Sequence, residues 1–138
     1  MLESVAYAGE EIEQITPEGM PLQFPKTGNF LGVVGNRNSI ELVGAFRQAA
    51  ERHEIPLPMQ TLVVPGDGED FPDTRRSDHS RFWDAGYKGV MLTDTCNFRN
   101  PHYHQPTDTL DTLNLDFAAN VCRALAAAVA DLAGSART

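Results

Sequence analysis

The sequence predicts an α/β fold in a single domain spanning residues 1–138: a β-sheet with helices on its faces. Three observations predict it. Short apolar runs are bounded by turn residues. They alternate with segments of helical period. Two of them lead directly into loops dense in polar groups.

Leu2 to Tyr7 reads as a short strand. Residues 8–28 are rich in Gly, Pro and Glu without a sustained period and read as a long loop, a length that often signals function. Phe30 to Gly35 (FLGVVG) is a continuous apolar run, as expected of a strand buried on both faces. Asn38 or Ser39 can cap a helix running to about His53. Ile40, Val43, Phe46 and Ala50 form its apolar stripe, with Leu42 and Ala49 beside them. Pro56 and Pro58 bar continuation, and Met59 to Val64 reads as a second buried strand.

Residues 65–76 form a loop, after which Ser77 can cap a short helix through Ala85, ended by Gly86. Gly89 to Thr93 is a third buried strand, and residues 94–112 are irregular and polar. A last helix is expected from about Asn114 to Ala133, with Phe117, Val121, Leu125, Ala128 and Leu132 on one side, followed by a small polar tail. Ligands of open α/β sheets gather beyond strand ends, so the loops at 65–79 and 94–109 are the first places to look for chemistry.

Composition narrows the classes. A formal net charge of −8 argues against a nucleic-acid surface and against an anionic membrane face. No apolar run is expected to reach the roughly 20 residues of a membrane span, and no secretory leader is visible. The two cysteines, Cys96 and Cys122, make no disulfide framework and read as buried thiols.

Three groups of residues could carry chemistry. In His102-Tyr103-His104, two imidazoles at i, i+2 share a face of an extended segment and suit zinc, with Asp108 four residues on as an acceptor. The same stretch also reads as a polar loop whose Asp and Thr cap the next element. In Arg75-Arg76-Ser77-Asp78-His79, Asp78 and His79 could face a substrate, or Ser77 and Asp78 could simply serve the helix start. Glu3, between Leu2 and Ser4-Val5 on a largely apolar strand, is either a metal ligand or a solvated residue near the terminus.

Three blocks in order, Ser77 to Gly86, Val90 to Thr95, and Phe98 to His104 with Asp108-Thr109, are similar to the C-terminal half of M28 zinc metallopeptidases. These include bacterial aminopeptidases and glutamate carboxypeptidases. Leu2-Glu3-Ser4-Val5-Ala6-Tyr7 resembles the family segment Leu-Glu-Met-Ile-Gly-Tyr, and Gly28 to Leu31 and Val34 to Asn36 match as well. The resemblance covers roughly residues 2–133.

It implies part of the mixed sheet of a zinc-exopeptidase-like (phosphorylase/hydrolase-like) three-layer architecture. It implies that His104 ligates one zinc and Glu3 the other, and that Tyr103 donates to the developing oxyanion. Asp78 maps to an active-site Asp of the related glutaminyl cyclases. Arg76 is a weaker candidate for a substrate contact, and His102 carries no metal role. The implied activity is hydrolysis of an N-terminal peptide bond, with a peptide substrate and two zinc ions per complete site.

The departure concerns the segments before Glu3. The family's His-x-Asp and Glu-Glu segments, which supply further ligands, the bridging Asp and the general base, have no counterpart here, and Glu10-Glu11 lies on the wrong side of Glu3. The expectation is therefore an inactive chain that binds zinc weakly and associates with itself or with a partner covering the missing half. The alternatives are a non-catalytic binding or structural remnant and a glutaminyl-cyclase-like acyltransferase.

Overall fold

A computed structural model of the chain describes residues 1–20 and 22–135. The expected polar tail falls largely outside them. The elements in order are β1 (Leu2–Glu3), β2 (Leu31–Asn36), α1 (Ile40–Arg52), β3 (Met59–Val64), α2 (His79–Asp84), β4 (Val90–Thr93) and α3 (Leu115–Ser135). The strands make one mixed sheet in the order β1-β4-β2-β3. β1 runs parallel to β4 and β2 parallel to β3, while β2 and β4 are antiparallel.

Strand alternation sends β2 to two cores. Leu31 and Val33 join Leu92 against Val43, Phe46 and Ala50 of α1 and Phe117, Val121, Ala124 and Ala128 of α3. Val34 joins Leu62, Val64 and Met91 on the opposite face, where Trp83 of α2 and the loop residues Met20, Leu22 and Phe71 cover it. The result is the expected three layers. Gly35 lets α1 approach, since a Cβ there would lie 2.6 Å from the Val43 side chain.

Several local expectations are corrected. β3 is a sheet edge, so Thr61 and Val63 are exposed and the strand is not buried on both faces. The α1 stripe is Val43, Phe46, Ala49 and Ala50, with Ile40 57% exposed at the first turn. Cys96 is buried but Cys122 is exposed. Ser77 does not cap α2. Asp78 holds that position without a side-chain cap bond.

The segment at 8–28 is less irregular than its composition suggests: an antiparallel bridge joins Glu13 and Thr27. The Gly28 amide donates to the Ile12 carbonyl, and the Gly9 amide to the Gly28 carbonyl. Leu115–Gly134 of α3 is, against expectation, long and apolar enough by length and composition to cross a membrane, and one side of it packs into the core beside α1.

Candidate metal and substrate site

A cavity of about 60 Å³ opens beside the β1–β4 edge, with Glu3, Arg76 and Tyr103 among the residues in its wall. Met20, Phe24, Val34, Leu62, Met91 and Phe98 supply the apolar part. Three polar residues from segments far apart in sequence therefore meet at one place.

Glu3 is partly buried, and its Oε2 accepts a 2.7 Å hydrogen bond from Ser77 Oγ. The Ser77 hydroxyl thus serves the site, while its carbonyl accepts from Ser80 at the helix start. This bond holds the carboxylate toward the cavity and leaves Oε1 as a further acceptor. Arg76 donates to Asn97 Oδ1 at 2.8 Å and approaches Asp73 at 3.4 Å, with its guanidinium 5.8 Å from the Phe98 ring centre. It is a braced cation at the cavity wall, not a purely solvated one. Arg75, expected to be solvated, instead ties the Asp67 carbonyl to Asp84.

Burial raises the Tyr103 phenol above its ordinary range, Cys96 and Glu3 add to this, and Arg76 opposes it. The phenol therefore keeps its proton at neutral pH and remains a donor. His104 is exposed and stacks on Tyr103, ring centres 4.0 Å apart and planes at 14°. His102 turns away. Its Nδ1 lies 3.0 Å from Thr107 Oγ1 and its ring meets Tyr7 edge-on. Asp78 is exposed at the start of α2 and does not line the cavity.

The residues that hold this arrangement were not singled out by sequence reasoning. Asp94, 2% exposed, directly follows β4. Its Oδ2 accepts from the amides of Ala6 (3.1 Å) and Tyr7 (2.9 Å), and its Oδ1 accepts from the Cys96 amide (3.0 Å). Burial pushes its carboxyl above the usual range, against the pull of these amides and of Arg99.

Arg99, also buried, donates from Nε to Gln14 Oε1 (2.9 Å) and from one terminal nitrogen to the carbonyls of Phe30 (2.9 Å) and Tyr7 (3.3 Å). It lies over the Phe30 ring at 4.4 Å. Burial brings its guanidinium down to about 10, so it stays charged at neutral pH. The available signal was chemical: a charged residue at the end of an apolar strand needs a partner, and Asp94 and Arg99 are five positions apart.

Backbone strain gathers at the same place. Of five non-glycine residues with positive φ among those described, Ser4, Thr95, Cys96 and His104 line this cavity or adjoin residues that do. Such conformations persist where surrounding contacts over-determine them, and they cluster at functional sites.

The donors themselves decide whether zinc fits. A carboxylate oxygen and an imidazole nitrogen are suitable ligands. Among the described residues, however, no group of three or more His, Cys, Asp or Glu could hold a metal ion. The donor types fit and their number does not, since catalytic zinc usually takes three protein ligands.

The model of peptidase family M28 matches residues 30–129. The chain belongs to peptidase family M28. Arg76, Asp78, Tyr103 and His104 fall inside the matched span, and Glu3 lies outside it. The chain is also 37% identical over 102 residues to the uncharacterized protein YfbL of Escherichia coli K12, a match covering 71% of this chain and 29% of that protein. The aminopeptidase LapA of Legionella pneumophila shares the fold with a TM-score of 0.53 at 18% identity, over 73% of this chain and 26% of LapA. The chain thus spans less than a third of the length of either protein.

Proposed function

We propose that this M28 chain carries one side of a zinc-dependent aminopeptidase site. Glu3 and His104 would each serve one of two zinc ions, and Tyr103 would donate a hydrogen bond to the oxygen that gains charge as the peptide carbonyl is attacked. Arg76 would contact the peptide substrate. Zinc in a complete site polarises a carbonyl and lowers the pKa of a bound water. The observation that carries this reading is the convergence of Glu3, Arg76 and Tyr103 on one cavity, with His104 stacked on Tyr103. Asp78, exposed and off the cavity wall, is the weakest member, and a role in a hydrogen-bond network is proposed for it only beside a bound substrate.

Taken alone, the chain is expected to lack turnover. Among the described residues it offers two candidate ligands, with no bridging carboxylate or general base assigned between them, and positioned proton transfer is typically worth about 10²–10⁴ in rate. The same shortage of donors favours a second reading, a non-catalytic module that binds peptides or a partner. The test is an assay of purified chain with leucine p-nitroanilide and excess zinc, beside a His104→Ala control. No turnover in either supports the incomplete site. Turnover lost only in the control would mean that these residues form a complete site of another kind.

A further inference from the structure

We propose that Asp94 is the positioning residue of this site, one buried carboxylate that fixes the Glu3-bearing segment and the Tyr103–His104 segment relative to each other. The proposal rests on reading Glu3, Tyr103 and His104 as members of one site.

Immediately after Glu3, Ser4 takes a left-handed conformation (φ 48°) and turns the backbone out of the sheet. That turn is held from both sides. The Asp94 amide donates to the Ser4 carbonyl at 2.6 Å, and the Asp94 Oδ2 collects the next two inward amides, Ala6 and Tyr7. On its other oxygen Asp94 receives the Cys96 amide, inside a turn where Thr95 (φ 76°) and Cys96 (φ 53°) are also left-handed. The Cys96 carbonyl then accepts from the amides of Arg99 and Asn100, and the Asn100 carbonyl accepts from the Tyr103 amide.

Each step from Asp94 to Tyr103 is a named hydrogen bond, as is each step from Asp94 back to the residue after Glu3. No other described side chain accepts amides from both segments. Three amide donors on one carboxylate offset the cost of burying it, and they are satisfied together only if the two segments keep this register. Arg99 completes the arrangement from behind, by tying Tyr7 and Phe30 to Gln14.

Asp94→Asn is nearly isosteric but places an amide NH₂ where one of the three backbone donors now points. The experiment compares wild type, Asp94→Asn, Asp94→Glu and the core truncation Val43→Ala, each as the full chain. Backbone amide spectra are recorded without metal, and zinc is then titrated while the His104 ring signals are followed.

In Asp94→Asn, the signals of Glu3, Tyr103 and His104 are expected to move together while those of α1 and α3 stay in place, and zinc affinity at His104 to fall about tenfold. Asp94→Glu should recover part of both. Val43→Ala should lower the melting temperature without either effect, which separates positioning from general destabilisation. If Asp94→Asn does not fold, Arg99→Lys takes its place with the same expectation, because lysine cannot reach Gln14, Tyr7 and Phe30 at once.

The proposal is overturned if the variant shifts only the 94–96 turn, or binds zinc as wild type does. A wild type whose His104 signals ignore zinc would count against the zinc reading, and the metal-free spectra would still decide the role of Asp94.

Discussion

The most exacting residue outside the site is His79. It is 2% exposed, its Nε2 lies 2.7 Å from the Thr74 carbonyl, and its ring meets Trp83 edge-on with centres 4.5 Å apart. The carbonyl requires a proton on Nε2, so Nδ1 is left as a buried acceptor without a partner. Burial, as the largest influence, lowers the imidazole below its ordinary value of 6.5, and the Thr74 carbonyl only partly opposes this. The unfolded chain then takes up a proton that the folded one refuses. Stability should accordingly fall as pH drops below about 6.5 toward the lowered folded value, and be flat with respect to this group above it. His79→Gln keeps a donor for Thr74 and removes the titration. Urea melts between pH 7 and 5 should show a shallower loss for the variant, and parallel pH profiles would exclude His79 as the source.

Among elements, α1 and β2 show how far sequence pattern reaches. The run from Phe30 to Gly35 and the stripe through Val43 and Phe46 predicted a buried strand beneath a helix, and the structure has both. Their closeness depends on Gly35, where any Cβ meets Val43 at 2.6 Å and Ser39 at 3.4 Å. Gly35→Ala should therefore cost about 1–3 kcal/mol through overpacking, read as a lower urea midpoint at unchanged slope. Gly35→Ala with Val43→Ala should recover part of it.

Apolar periodicity made these elements legible because it reports local burial. It misjudged β3, since a run of apolar residues does not say whether a strand has one neighbour or two. It could not place Ser77 on Glu3 or Asp94 on Ala6 and Tyr7, because those bonds join segments 74 and up to 88 positions apart. Residue type and spacing made Glu3, Tyr103 and His104 candidates, and the family resemblance supplied their roles. The buried groups that hold them have no periodic signature and emerge only when the segments are assembled.

At the scale of the whole molecule, an apolar concavity larger than the candidate site lies elsewhere. A groove of about 460 Å³ runs past the chain's first residue, lined by Met1, Leu42, Phe46, Phe82, Leu125 and Val129 among others. Phe82 and Val129 are 54% and 57% exposed. Contiguous exposed apolar surface marks an interaction site more often than free surface. The expectation is association at high concentration, with a second copy or a partner covering this face. Sedimentation of the purified chain should show species above the monomer that Phe82→Glu and Val129→Glu each dissociate. A monomer at all concentrations would rule out the second copy.

β1 carries one further consequence, in the order of events during folding. Among the described residues its one strand partner is β4, 90 positions later, with Leu2 in register with Leu92 and Glu3 with Thr93. The β2–α1–β3 unit can assemble from contacts within a few tens of residues, so it has the shorter loops to close. Synthesised well before their partner strand, Leu2 and Glu3 must wait until Leu92 and Thr93 have emerged before this pairing can form. The Glu3 side of the cavity should thus be the last part built and the first to open. In native-state hydrogen exchange, the amides of Ala6 and Tyr7 should be released well before those of Val33 and Val34.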